Sequence, residues 1–439
     1  MTQFRLLPVF IAIGAALAVP AQAQSLVDLY ESARSYDAAF KSAQSQYEAS
    51  LARADQARAG ILPTANLAAG ISRSNLDSSL SATDRTFGSQ TATISASQPI
   101  YRPVNVASYE QGKKQVEVAQ AQLKSAEQDL VVRVSQAYFD VLGSQDSLTF
   151  VKAQKAAVSE QLASAKRNFE VGTSTITDSR EAQARFDLVV AQEIAAENDL
   201  RIKKIALEQL VGKPEAAPKI LATPVVLPAL SPPDVGLWLS RLEEDHPGVK
   251  QSQLALEVAR LETRKAEAGH KPTLDLTGSY AMAQNNGTST STLHSRTNVA
   301  TIGLAFNLPL FAGFATQNRI KETLALEDKA LTDLESTKRS VAQGTRTAFF
   351  GVLSGMGQVK ALEAAEASSQ SALDANKLGY QVGVRINIDV LNAQSQLFQT
   401  KRDLAKARYD VLVGSLKLRQ ANGTLAASDL QAINAMLIK

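Results

Sequence analysis

Residues 116–142 read VEVAQAQLKSAEQDLVVRVSQAYFDVL. Within them Val116, Ala119, Leu123, Ala126, Leu130, Val134, Ala137 and Val141 step by three and four, a heptad-like seam with a four-residue stutter. No proline interrupts the pattern between Val104 and Gly212. From Val104 to Phe169 the seam predicts one helix of about 66 residues, roughly 100 Å at 1.5 Å per residue. It ends at Val171-Gly172-Thr173-Ser174-Thr175-Ile176-Thr177-Asp178, a glycine turn and an Asp cap that open a second helix to Gly212. Hairpins of this length exceed any single globular core. A dimeric coiled-coil scaffold is one reading; the small seam residues favour several helices side by side in a wall.

Composition points the same way. The 439 residues carry 46 Lys and Arg against 43 Asp and Glu, a net charge of +3, which excludes a strongly basic nucleic-acid binder and an acidic tail protein. With no cysteine there are no disulfides, thiol nucleophiles, zinc ribbons or N-terminal lipidation. Much of the apolar fraction is alanine, which favours helix and close helix contact.

The chain is a tandem duplication with a period of about 210 residues. Ala59-Gly60-Ile61-Leu62-Pro63-Thr64 recurs as Ala268-Gly269-His270-Lys271-Pro272-Thr273, and Ala137-Tyr138-Phe139-Asp140-Val141-Leu142 as Ala348-Phe349-Phe350-Gly351-Val352-Leu353. Val171-Gly172 matches Val382-Gly383, Asp178 matches Asp389, and Leu207-x-Gln209-x-x-Gly212 matches Leu418-x-Gln420-x-x-Gly423. The expected organisation is repeat 1 over 24–212, a Pro-rich connector over 213–236, repeat 2 over 237–423 and a C-terminal segment over 424–439. Each repeat predicts a helix (about 25–60 and 234–269), two strands, then the long hairpin (104–212 and 312–423).

The strands expected are 65–74, 90–98, 273–282 and 299–308. Leu274, Leu276, Tyr280 and Met282 alternate with Thr273, Asp275, Thr277 and Ser279, giving one apolar and one polar face. Polar loops (75–89 and 283–298) join each pair. Two hairpins cannot close a barrel, for which about eight strands are the minimum, so a barrel requires oligomerisation. A small soluble hairpin is the plainer alternative.

At the N-terminus, Arg5, an apolar run from Leu6 to Val19 and Ala21-Gln22-Ala23 form the layout of a secretory signal peptide cleaved after Ala23.

The residues together resemble the TolC-type outer-membrane efflux and secretion channel family, over essentially the whole mature chain. The resemblance is carried by the duplication, by Tyr138-Phe139-Asp140-Val141-Leu142 and by Phe169-Glu170-Val171-Gly172 leading to Ile176-Thr177-Asp178. In repeat 2 it is carried by Gly379-Tyr380-Gln381-Val382-Gly383-Val384-Arg385 and Ile388-Asp389-Val390-Leu391-Asn392-Ala393-Gln394. It implies a mainly α protomer with a β-barrel part: long α-helical hairpins plus four β-strands. As a homotrimer this would form a 12-stranded barrel in the outer membrane of a Gram-negative bacterium and a 12-helix periplasmic tunnel. The connector and C-terminal segment would form a belt around its middle.

The implied partners are outer-membrane lipid, a periplasmic adaptor (membrane fusion protein) and an inner-membrane ABC or RND transporter. The implied function is a passive exit duct for type I protein secretion or multidrug efflux, opened at its periplasmic tip; an exported coiled-coil scaffold or adhesin without a pore is the alternative. By match, the gate residues would be Thr177 and Asp178 facing Tyr380 and Arg385. Without the resemblance, Asp178 reads as a helix N-cap and Arg385 as a solvated tip charge. Asp389 would supply a ring of pore carboxylates, although it too reads as a cap. Asn392 stands where a second acidic ring is often found.

His246, His270 and His294 have no metal-ligand spacing, and no cofactor or nucleic-acid motif is present. No nucleophile elbow or phosphate loop argues for an enzyme. Gly351, Gly355 and Gly357 fit either close helix approach or a weak point in the second long helix.

Overall fold

A computed structural model describes residues 23–77 and 84–438. The leader expected over 1–23 lies outside them except for Ala23. The chain divides into two units, Gln44–Leu123 with Pro247–Lys338, and Met1–Ala43 with Lys124–His246 and Arg339–Lys439.

The first unit holds one antiparallel sheet of four strands, β1 (Thr64–Leu76), β2 (Arg85–Tyr101), β3 (Thr273–Asn286) and β4 (His294–Asn307), in the order β1-β2-β3-β4. The central contact, β2 with β3, joins the two repeats, leaving β1 and β4 as edges. The strands reach 13, 17, 14 and 14 residues and take in much of the polar sequence expected as loop. Threonine fits a pleated surface, and polar side chains can occupy whichever face is wet, so these ends extend the ladder instead of leaving it.

Register sorts the side chains. Leu67, Ile94, Tyr280 and Ala300 form one row across the sheet; Ala65, Ala96, Gly278 and Ile302 form the next but one towards the helices. The intervening row, Asn66, Ser95, Ser279 and Thr301, faces the other way. The apolar face is exposed: Leu67 is 73% accessible, Ile302 80% and Phe306 66%. At the base, Arg102 makes a fork with Asp275, Nε to Oδ1 at 2.7 Å and Nη2 to Oδ2 at 2.5 Å, fixing the strand-to-helix passage. Helices α2 (Ala38–Ala59), α3 (Pro103–Glu170), α7 (Pro247–Glu267) and α8 (Ala315–Gln381) continue from the strands. Gly112 of α3 lies so close to α2 that a Cβ would meet Ala54 Cα at 3.3 Å, while Lys114 pairs with Glu257 of α7 at 2.9 Å.

The second unit contains the rest of α3 and α8 with α4 (Ile176–Val211) and α9 (Asn387–Asn422). Here Leu130, Val134, Tyr138, Phe139, Val141 and Leu142 of the α3 seam are buried together with Leu412 and Leu416 of α9. Phe139 stacks on Tyr409 with centroids 5.5 Å apart.

Two helices expected to be continuous are broken. Asp37 separates α1 (Leu26–Tyr36) from α2 and accepts from the Phe40 N–H at 2.8 Å, so it caps the helix it interrupts. In repeat 2, α5 (Val235–Leu239) and α6 (Leu242–Asp245) precede α7, which starts at Pro247 because proline lacks the N–H a helix interior needs. The first half of the connector is held by hydrogen bonds: Gln24 N–H donates to Ala217 O at 2.7 Å, Ala222 N–H to Met436 O at 2.8 Å, and Tyr138 OH to Lys219 O at 2.7 Å. Beyond it, α10 (Asp429–Asn434) holds the C-terminal segment, and Gln128 Nε2 donates to both Gly423 O and Leu425 O at 2.9 Å.

Candidate functional site: the two hairpin tips

The tips are built alike. In the first, Gly172 takes φ 79° and the Thr173 N–H returns to Asn168 O at 2.8 Å; in the second, Gly383 takes φ 77° and the Val384 N–H returns to Gly379 O at 2.8 Å. Positive φ is what glycine permits, and each turn satisfies carbonyls that the helix end would orphan.

The caps differ. Thr175 and Asp178 form a capping box on α4, whereas Ile386 at the matching position of α9 offers no side-chain cap. The Asp178 carboxylate accepts from Ser174 Oγ at 2.7 Å, Thr175 Oγ1 at 2.8 Å and Thr175 N–H at 3.1 Å, all at Oδ2. Partial burial pushes its pKa up, but these bonds outweigh burial and hold it below the usual aspartate range. The exposed Thr177 hydroxyl lies 2.5 Å from Thr175 Oγ1.

Within one protomer the other expected gate residues have different partners from those sequence matching suggests. The Tyr380 hydroxyl accepts from Asn168 Nδ2 at 3.2 Å. Arg385 sits beside Asp389 at 3.8 Å in a largely exposed pair, which contributes little. The Arg385 stem also covers Gly379, where a Cβ would lie 2.7 Å from Arg385 Cγ. Asn392 Oδ1 accepts from Arg185 Nη2 at 2.8 Å, so the position that lacks a carboxylate is tied to the other hairpin.

Sequence reasoning passes over Asn387, the residue that knits the tips. It is 1% exposed, accepts from Gln161 Nε2 of α3 and donates through Nδ2 to Asp178 O at 3.3 Å. The available signal is a departure from the repeat: Ile176 stands at the same place in the first hairpin. Beneath lies an apolar layer of Val151, Val158, Leu162 and Ala165 of α3, Ala182 and Val189 of α4, and Leu391 of α9. Val171, Val382, Val384 and Ile386 remain 61–79% exposed at the turns. No group of His, Asp or Glu among the described residues could hold a metal ion.

No helix among the described residues is long and apolar enough to cross a membrane. The apolar face of the four-stranded sheet is exposed and its two edges are unpaired, an arrangement that suits contact with lipid and with further strands. The chain belongs to the outer membrane efflux protein family, whose sequence pattern matches residues 29–213 and 238–424. It is similar to the outer membrane protein TolC of Vibrio cholerae, 33% identical over 99% of this chain and 98% of that one. It is also similar to the alkaline protease secretion protein AprF of Pseudomonas aeruginosa, 30% identical over 95% of this chain and 88% of the relative. Among solved structures, CusC shares the fold with a TM-score of 0.80, 19% identity and 92% coverage of both chains. The protein is an outer-membrane exit duct.

Proposed function

We propose that three copies close a 12-stranded barrel and a helical tunnel, which carries cargo handed over by an inner-membrane transporter through a periplasmic adaptor. The open edges of the four-stranded sheet carry this reading. One sheet falls short of the roughly eight strands a barrel needs, and an apolar face with two unpaired edges demands further copies and lipid. Energy comes from the transporter; the duct supplies passage and no turnover. The exposed valines and isoleucine of the turns suit a protein partner that docks at the tips. The alkaline protease secretion protein of P. aeruginosa supports protein export as one cargo class, and the efflux family supports small-molecule efflux as the other.

The gate is assigned to Thr177, Asp178, Tyr380 and Arg385, with Asp389 and Asn392 at the constriction. Because the cap bonds of Asp178 all fall on Oδ2, its Oδ1 is positioned to accept from a neighbouring tip of the assembly. Single-channel conductance in a planar bilayer tests both parts, comparing the native chain with Asp178→Ala plus Arg385→Ala. Small stable conductances that rise in the double variant are expected. Equal conductances discard the gate assignment, and a folded sample that never inserts discards the channel.

A further inference from the structure

At the end of the sheet remote from the helices, register aligns Arg73, Gly88, Asn286 and His294 in one row and Ile71, Gln90, Gln284 and Arg296 in the next. Both rows lie on the face that carries Leu67, Ile94, Tyr280 and Ile302 closer to the helices. Arg73, His294 and Arg296 are exposed. The four strands contain one carboxylate, Asp275, which is at the opposite end, on the other face and bonded to Arg102. Asp77 and Asp84 lie past the strand ends in the first loop. The apolar face is therefore rimmed by cations on the two edge strands.

We propose that Arg73, His294 and Arg296 bind the phosphorylated headgroup of a lipid of the outer leaflet, one site at each seam between copies. The proposal rests on the barrel reading above, because each seam sets β4 of one copy beside β1 of the next. Within one copy β1 and β4 stand three strand spacings apart, about 14 Å. Across a seam they are neighbours at about 5 Å, and a register that keeps these rows level sets Arg296 and His294 beside Arg73 of the partner subunit. Guanidinium matches phosphate through paired N–H donors, and the imidazole adds another. The ligand must be a lipid: the rows directly below, Ala69, Ala92, Met282 and Asn298 and then Leu67, Ile94, Tyr280 and Ala300, are apolar but for Asn298, and a hollow lined by Ile71, Ala92, Met282, Gln284 and Arg296 joins the cationic rim to that surface. A soluble anion would use the rim alone; a molecule with acyl chains and phosphate uses both.

The test measures lipid retained by the delipidated, detergent-solubilised oligomer in native mass spectrometry, for the native chain, for Arg73→Gln plus Arg296→Gln, and for Arg85→Gln. The last removes a guanidinium from the opposite face, where it donates to Ser289 O at 3.2 Å. The probes are diphosphoryl lipid A, its dephosphorylated form and inorganic phosphate. Retention of the diphosphoryl lipid should fall about tenfold in the double variant and stay unchanged in Arg85→Gln. Equal retention by the double variant, or equal binding of the dephosphorylated lipid, overturns the proposal. Displacement by millimolar inorganic phosphate also overturns it, in favour of a free-anion site. Bilayer insertion of the same samples reads the barrel separately: a double variant that inserts with native conductance but loses lipid supports the site, and a native sample that retains lipid but never inserts overturns the seam geometry.

Discussion

Tyr409 of α9 donates its hydroxyl to Asp146 of α3 at 2.6 Å, joining the two repeats beside the Phe139 stack. Burial raises the Asp146 pKa above the ordinary 3.8, and the tyrosine bond offsets only part of that. The folded state therefore holds the proton more tightly than the unfolded state. Stability from this site is greatest below about pH 3.8 and declines as pH rises through the folded pKa. Asp146→Asn should raise the melting temperature at pH 7 and leave it unchanged in strong acid. Tyr409→Phe strands the carboxylate and should cost about 1–3 kcal/mol in denaturant unfolding, with a smaller cost when it is combined with Asp146→Asn.

Asp37 behaves in the opposite sense. Arg133 grips it with Nη1 to Oδ2 and Nη2 to Oδ1, both at 2.9 Å, and this bond holds the carboxyl below 3.8. Its contribution is present above the unfolded value and is lost as pH falls through the folded one. Arg133→Ala should destabilise by about 2 kcal/mol at pH 7, because the guanidinium is partly solvated while the carboxylate it leaves is buried. Melting curves of the variant and the native chain should converge in strong acid.

The glycines that follow the two helices of the second hairpin, α8 and α9, should not tolerate change equally. At Gly423, φ is 85° and a Cβ would lie 2.3 Å from His246 Cα, a backbone atom that cannot rotate away. At Gly383, φ is 77° but nothing lies within 4 Å of the added carbon. Gly383→Ala should cost about 1 kcal/mol, the strain of the left-handed backbone alone. Gly423→Ala should abolish folded protein, measured as the yield of oligomer in detergent extracts.

The long helices and the strand faces are legible in the sequence because periodicity writes them directly. Leu130, Val134 and Val141 repeat at helical spacing, and Leu274, Leu276, Tyr280 and Met282 alternate. Strand ends are less visible, since Arg85–Ser89 and Gln284–Asn286 are mostly polar and read as loop until a neighbouring strand pairs with them. The break at Asp37 is hidden because its flanks are good helix formers and its reason is Arg133, 96 residues away. At the tips, the turns and Asp178 are local and readable. The bonds of Asn387 span 209 and 226 residues, and no local pattern encodes them.

Asn387 is for that reason the sharper probe of how the hairpins are held within a protomer. Its amide is buried and serves both Gln161 and the Asp178 carbonyl, so Asn387→Ala leaves a donor and an acceptor without partners. The loss, about 1–3 kcal/mol, falls on a helix terminus that can open locally, so global melting should shift little. Loss of these bonds instead lets the two tips separate, and Asn387→Ala should conduct more in a planar bilayer than the native chain. Asn387→Asp keeps the acceptor for Gln161 but sets a carboxylate against the Asp178 carbonyl, and should also open the tip, more so as pH rises. Arg185→Ala removes the bond to Asn392 from the exposed side and should have the smaller effect of the two alanine variants. Conductance that is native in all three would place the intraprotomer hold elsewhere.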